Sequence, residues 1–197
     1  MKIVVATGNR EKVKEIREIM SDIVAEIRTI KEEGIVSDPE ENGTTFEENA
    51  LIKARAVAGK TNAIVIADDS GLEVDYMNKE PGIHSARWLG HETSYDIKNA
   101  EILKRLEGVP EEKRTARYVA AVAAVLPDGR EFVVRETMEG YIGQGPEGEN
   151  GFGFDPIFYL KEYGHSAAYI TPEQKNAISH RGKALRAIRR VLKENMK

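Results

Sequence analysis

The chain has 197 residues, a net charge of −4, 41% hydrophobic and 31% charged residues, and no cysteine. That length suits one medium-sized domain able to bury a core, and the missing cysteine excludes disulfides, thiolate nucleophiles and Cys-ligated zinc. The acidic balance offers no whole-molecule field for nucleic acid or an anionic membrane, so neither is expected as a partner.

Residues 2–6 read as a short buried strand, and Val13, Ile16, Ile19 and Met20 then recur at helical spacing from about residue 10. An unbroken run of only four apolar residues, Ile3 to Ala6, precedes the polar Thr7-Gly8-Asn9 stretch, too few for the apolar region of a signal peptide, so a cytoplasmic location is expected. Residues 23–30 suggest a second strand, and the acidic, turn-rich stretch from Glu32 to Gly43 an exposed loop. Thr45-x-x-Glu48 has the form of a capping box, and Ala50, Leu51, Ala54, Val57 and Ala58 give the helix after it an apolar stripe. Ala63 to Ala67 is an apolar strand that is expected to end at Asp68-Asp69-Ser70-Gly71, delivering two acids to a sheet edge.

A loop containing Pro81-Gly82 comes next, then a helix with Ser94 as N-cap and Gly108 as C-cap. Residues 115–126 and 130–142 form a predicted hairpin about Pro127-Asp128-Gly129. Its first arm contains the longest apolar run, Val119 to Leu126, far short of the roughly 18 residues of a membrane helix. Gly140 to Gly153 reads as loop, with Phe154 to Leu160 returning to strand. Thr171-Pro172-x-Gln174 opens a short helix, and Ser179 caps a last one striped by Ala184, Leu185, Ile188, Val191 and Leu192.

Four segments concentrate groups that chemistry uses. Thr7-Gly8-Asn9-Arg10-Glu11-Lys12 places backbone N–H groups, a hydroxyl, an amide and a lysine at one helix start, a site for a polyphosphate; it lacks the spacing of a Walker loop. An Asn N-cap beside a surface lysine is the alternative reading of that stretch. Asp68-Asp69 can hold a hard cation or activate water, and Glu40, Glu41, Glu47 and Glu48 supply further oxygen ligands. Gly151-Phe152-Gly153-Phe154-Asp155-Pro156 lacks the third glycine of a dinucleotide fingerprint, but glycines beside rings let a flat base approach and stack. Lys175 to Arg181 gathers cations at a helix N-terminus, where they oppose the helix dipole unless an anionic or carbonyl-bearing ligand meets them. The histidines show no zinc-binding spacing.

Six blocks, in order, resemble the inosine triphosphate pyrophosphatase family, also called Ham1-like or non-canonical purine nucleoside-triphosphate pyrophosphatases. They are Thr7-Gly8-Asn9-x-x-Lys12, Thr45-Phe46-x-Glu48-Asn49-Ala50 with Lys53-Ala54, and Ala67-Asp68-Asp69-Ser70-Gly71-Leu72. Pro81-Gly82-Ile83-x-Ser85-Ala86-Arg87, Gly151-Phe152-Gly153-x-Asp155-Pro156-x-Phe158 and Lys175-Asn176-x-x-Ser179-His180-Arg181 complete the set. Trp88 stands where the family pattern has tyrosine.

The resemblance implies an α/β fold about a long, curved mixed sheet with flanking helices. It further implies two lobes around a central active-site cleft, a single domain over residues 1–197 without a separable linker, and a homodimer. The implied reaction is magnesium-dependent hydrolysis of ITP, dITP and XTP to the monophosphate and pyrophosphate. Thr7, Asn9 and Lys12, with the Gly8, Arg10 and Glu11 between them, would hold the triphosphate. Asp69 would be the general base or metal-binding acid, and Glu40 or Glu41 would help bind Mg2+. Ser70 would contact the nucleotide, and Phe152, Gly153, Phe154 and Asp155 would line the base pocket. Lys175, His180 and Arg181 would complete it as donors to a 6-oxo purine. A Maf-type pyrophosphatase is the nearest rival, and the last two blocks argue against it.

Overall fold

The computed structural model describes residues 2–23 and 26–195, without the side chain of Glu11. Residues 24 and 25 of the predicted second strand and the Glu11 side chain therefore lie outside the described part. In chain order the elements are β1 (Lys2–Val5), α1 (Arg10–Met20), β2 (Glu26–Thr29), α2 (Phe46–Ala58) and β3 (Ile64–Val74). There follow α3 (Tyr95–Arg105), β4 (Thr115–Val125), β5 (Glu131–Ile142), β6 (Phe158–Leu160), β7 (His165–Ser166), α4 (Pro172–Ile178) and α5 (His180–Asn195), with three short 3-10 turns between.

The seven strands form one sheet in the order β2-β1-β3-β4-β5-β6-β7. β1 pairs in parallel with β2 and with β3, through Val5 opposite Thr29 and Ile66. β6 pairs antiparallel with β5 and β7. The sheet is thus mixed, as the α/β expectation requires. Parallel neighbours need a crossover, and α1 supplies it between β1 and β2.

Two compact units divide the chain. The first holds residues 1–69, 120–136 and 181–197, the second residues 70–119 and 137–180. In the first, Ile3, Val5, Ile64, Ile66, Ala120 and Val122 pack with Ile16 and Met20 of α1 and with Ala184, Leu185, Ile188 and Leu192 of α5. The last four lie at helical spacing, so one face of α5 is buried as its stripe predicts. The second unit has its own core of Leu72, Val74, Ile102, Leu106, Tyr118, Met138, Ile142, Phe154, Ile157 and Phe158, with Trp88 packed against it.

Helix starts follow local chemistry. Thr171 accepts from the Gln174 amide while the Gln174 side chain accepts from the Thr171 amide, a complete capping box. At α2, Thr45 accepts from Glu48 N, and the Glu48 carboxylate accepts from the N–H and hydroxyl of Thr44. Ser94 caps α3, which closes at Arg105, three residues before Gly108; that glycine sits beyond the cap at φ +74°.

Two expectations change. β3 does not stop at Ala67 but runs through Asp68-Asp69-Ser70-Gly71 to Val74, so both acids lie mid-strand. Turn preference favoured a break there; burial among cations, described below, outweighs it. The predicted strand from Phe154 to Leu160 begins only at Phe158, because Asp155 reaches back to accept from the Phe152 amide and bends the chain into a turn.

Candidate active site

Adjacent residues of a strand face opposite ways, so Asp68 and Asp69 meet different partners. Asp68, almost wholly buried, lies 2.7 Å from the Lys12 ammonium and 3.6 Å from the Arg181 guanidinium. Arg181 is also 3.5 Å from Glu15. Burial pushes the Asp68 carboxyl up, but Lys12, Arg181 and Lys53 together outweigh it and hold the group at about 2. Asp68 is therefore a fixed anion that anchors two cations.

Asp69 accepts from Lys53 Nζ at 2.8 Å and from Asn49 Nδ2 at 3.4 Å. Asn49 and Lys53 stand one turn apart on α2 and so present the same face. Lys53 also reaches Glu41 at 3.4 Å. Burial raises the Asp69 carboxyl above its ordinary value, Glu41 and Asp68 add to that, and Lys53 opposes it. The carboxyl pKa values of two neighbouring acids are thereby shifted in opposite directions, the arrangement that separates a basic residue from a structural one.

The loop before α1 is organised locally. Thr7 Oγ1 accepts from the Asn9 amide and Asn9 Oδ1 from the Lys12 amide, so Asn9 caps α1 while Lys12 turns to Asp68. The Asn N-cap reading of that stretch holds, but Lys12 is engaged by the buried Asp68 and is not a free surface lysine. Arg10 and Gly8 are exposed, and a Cβ at Gly8 would meet nothing. The chain's own packing does not require that glycine.

In the second unit, Asp155 is the hub. Its Oδ2 accepts from Phe152 N at 2.8 Å and from Lys175 Nζ at 2.5 Å, and its Oδ1 from the Tyr118 hydroxyl at 3.1 Å. Gly151 and Gly153 both have positive φ, and a Cβ at Gly151 would run into the Asp155 carboxylate. The turn therefore leaves Phe152 exposed, its ring 5.3 Å from the Lys175 ammonium. His180 stacks on Tyr118 at 4.9 Å with the rings 9° apart. Phe154, by contrast, is buried edge-on against Tyr95 in the core.

Of the predicted residues, Lys12, Asp68, Asp69, Glu41 and Arg181 fall in the first unit's charged group. Phe152, Asp155, Lys175 and His180 come together in the second. Arg181 does not join Lys175 and His180 there; its guanidinium is engaged by Asp68 and Glu15. Ser70 is half-buried, next along β3. Glu40 is exposed, whereas Glu41 shares Lys53 with Asp69. Lys53, Asn49, Glu15 and Tyr118 were assigned no role from sequence. For the first two, the i, i+4 spacing on α2 behind an acidic first turn was the available signal.

No cluster of three or more His, Cys, Asp or Glu that could hold a metal occurs among the described residues. Magnesium, however, is commonly held by one or two carboxylates with phosphate oxygens and water completing the shell. Asp69 and Glu41, two hard oxygen donors within reach of one ammonium, are compatible with that mode.

Comparison with known proteins gives a consistent picture. A model of the Ham1 family matches residues 3–191. A dITP/XTP pyrophosphatase of Thermoanaerobacter sp. (strain X514) is 46% identical over 192 residues, 98% of this chain and 96% of that one. The structure of the Staphylococcus aureus Ham1 protein superposes with a TM-score of 0.91 at 39% identity, covering 99% of this chain and 100% of the other. The nucleoside-triphosphatase, or dITP/XTP pyrophosphatase, of Mycobacterium abscessus superposes with a TM-score of 0.80 at 42% identity, over 95% of this chain and 98% of that one.

Proposed function

The chain belongs to the Ham1 family, and on that premise we propose that it is a pyrophosphatase of non-canonical purine nucleoside triphosphates, taking ITP, dITP and XTP to the monophosphate and pyrophosphate. The observation that carries this reading is Asp69: a buried carboxylate with a raised pKa, between Lys53 and Asn49, beside an Asp68 that stays ionised.

Asp69 orients a water and takes its proton as the water attacks the α-phosphorus, a role suited to a carboxylate whose pKa is shifted toward neutrality. Lys53 keeps Asp69 in register. Lys12 and Arg181, fixed on Asp68, present positive charge where charge accumulates on the departing pyrophosphate. Mg2+, held by Asp69 and Glu41, would supply Lewis-acid neutralisation of the phosphate oxygens. The exposed Phe152 ring stacks the purine, and Lys175 and His180 donate to its 6-oxo group. Adenine places an amino group there, so such donors would face a donor and ATP is rejected.

No helix of the described residues is long and apolar enough to cross a membrane. The reading extends to a cytoplasmic homodimer, the state that the family resemblance implies, and light scattering checks the second half of it. The reaction itself is tested by incubating ITP, dITP, XTP, GTP and ATP with the protein and magnesium and separating pyrophosphate from single phosphate. Pyrophosphate from the first three, with little turnover of ATP, is the expected pattern. Release of single phosphate, or ATP hydrolysed as fast as ITP, would overturn it.

A further inference from the structure

Lys98 and Asn99, consecutive on α3, are both buried: Lys98 is 1% exposed and Asn99 is 7% exposed. Burying an ammonium or an amide costs free energy unless partners replace the lost water. Their partners are backbone carbonyls of two different loops. Lys98 Nζ donates to Ala86 O at 2.7 Å, and Asn99 Nδ2 donates to Gly153 O at 3.1 Å. Consecutive helical side chains point about 100° apart, so one turn of α3 grips two loops at once.

Those loops are the Ser85-Ala86-Arg87 turn and the Phe152-Gly153-Phe154 turn. Tyr95, on the same helix, closes the arrangement: its face lies 4.8 Å from the Lys98 ammonium and its ring meets Phe154 edge-on at 5.1 Å. Core packing alone does not account for this use of polar groups. Burial lowers the Lys98 pKa, and Asn99 Oδ1 is a buried acceptor with no hydrogen-bond partner. A helix selected only for packing would bury apolar residues at these two positions.

We propose that Lys98 and Asn99 are positioning residues for purine recognition, holding the Ala86 and Gly153 carbonyls so that the two turns keep the spacing a base requires. The inference rests on the reading of the Phe152–Asp155 turn as the base platform. It assigns the pair a role in binding the base and none in binding the phosphates.

The test is equilibrium binding by calorimetry with EDTA present, using ITP and inorganic tripolyphosphate as probes, on wild type, Lys98→Met and Asn99→Leu. In each variant the dissociation constant for ITP should rise about tenfold, the consequence of losing one charge-assisted or buried hydrogen bond. That for tripolyphosphate, which has no base, should stay within about twofold, and kcat for ITP should fall far less than KM rises. Lys98→Gln, which keeps a donor without the charge, should recover part of the ITP affinity and serves also if Lys98→Met does not fold. Equal weakening of both probes, or unchanged ITP affinity in a folded variant, would overturn the proposal. Binding is read without turnover, so a wild-type protein that bound ITP yet released no pyrophosphate would count against the proposed reaction and leave the clamp standing.

Discussion

Asp68 and Asp69 are neighbours on one strand, and burial acts on both. Lys12 and Arg181 overcome it for Asp68, while Lys53 only partly offsets it for Asp69. Asp69→Asn should therefore lower turnover by about 10²- to 10⁴-fold, the usual loss for a positioned base. Its melting temperature should not fall, since an amide is cheaper to bury than a charge. Steady-state rates and a thermal scan on the same preparation check both halves, and near-normal turnover in a folded variant would move the base elsewhere. Lys12→Ala and Arg181→Ala should weaken ITP and XTP alike, by about 1–3 kcal/mol for a charge-assisted contact. KM values for the two substrates decide this, and a loss confined to one base would return Arg181 to the base pocket beside Lys175. Sequence identified these residues by type and block, but their grouping follows from contacts across many residues. Nothing local in His180-Arg181 tells that one ring stacks on Tyr118 while the next guanidinium turns to Asp68.

Among elements, those with local punctuation were legible. Thr171-Pro172-x-Gln174 and Ser94 open α4 and α3, and the stripe of α5 faces its core. The continuation of β3 through Asp68-Asp69-Ser70-Gly71 was not, because the cations that make those acids tolerable in mid-strand come from α1, α2 and α5. Further along, β3 leads to Asp75, which takes two hydrogen bonds from Arg117 on β4 and others from Lys79 and Thr115. The Arg117 bonds, more than any other influence, depress the Asp75 carboxyl, against a smaller upward push from burial. A depressed acid stabilises the fold above its unfolded pKa, about 4, and that contribution is lost as pH falls toward the folded value. Urea midpoints of wild type and Asp75→Asn should accordingly differ most at neutral pH and converge below about pH 4. A gap independent of pH would show that the carboxylate's charge is not what joins β3 to β4.

For the whole molecule, composition and sequence alone narrowed the function classes: no cysteine chemistry, no basic field and no apolar run long enough for a membrane helix. The mixed sheet and the two cores then place a charged group about Asp69 in one unit and an aromatic, hydrogen-bonding group about Asp155 in the other. Neither core could be apportioned from sequence. β3, β4 and β5 each contribute residues to both units, and a periodicity of two does not say where one core ends and the next begins. The central claim is that water attacks the α-phosphorus and pyrophosphate leaves intact. Hydrolysis of ITP in ¹⁸O-enriched water, with both products analysed by mass spectrometry, tests it most directly. The label should appear in the inosine monophosphate and be absent from the pyrophosphate. Label in the pyrophosphate, or inosine diphosphate as the product, would contradict the account.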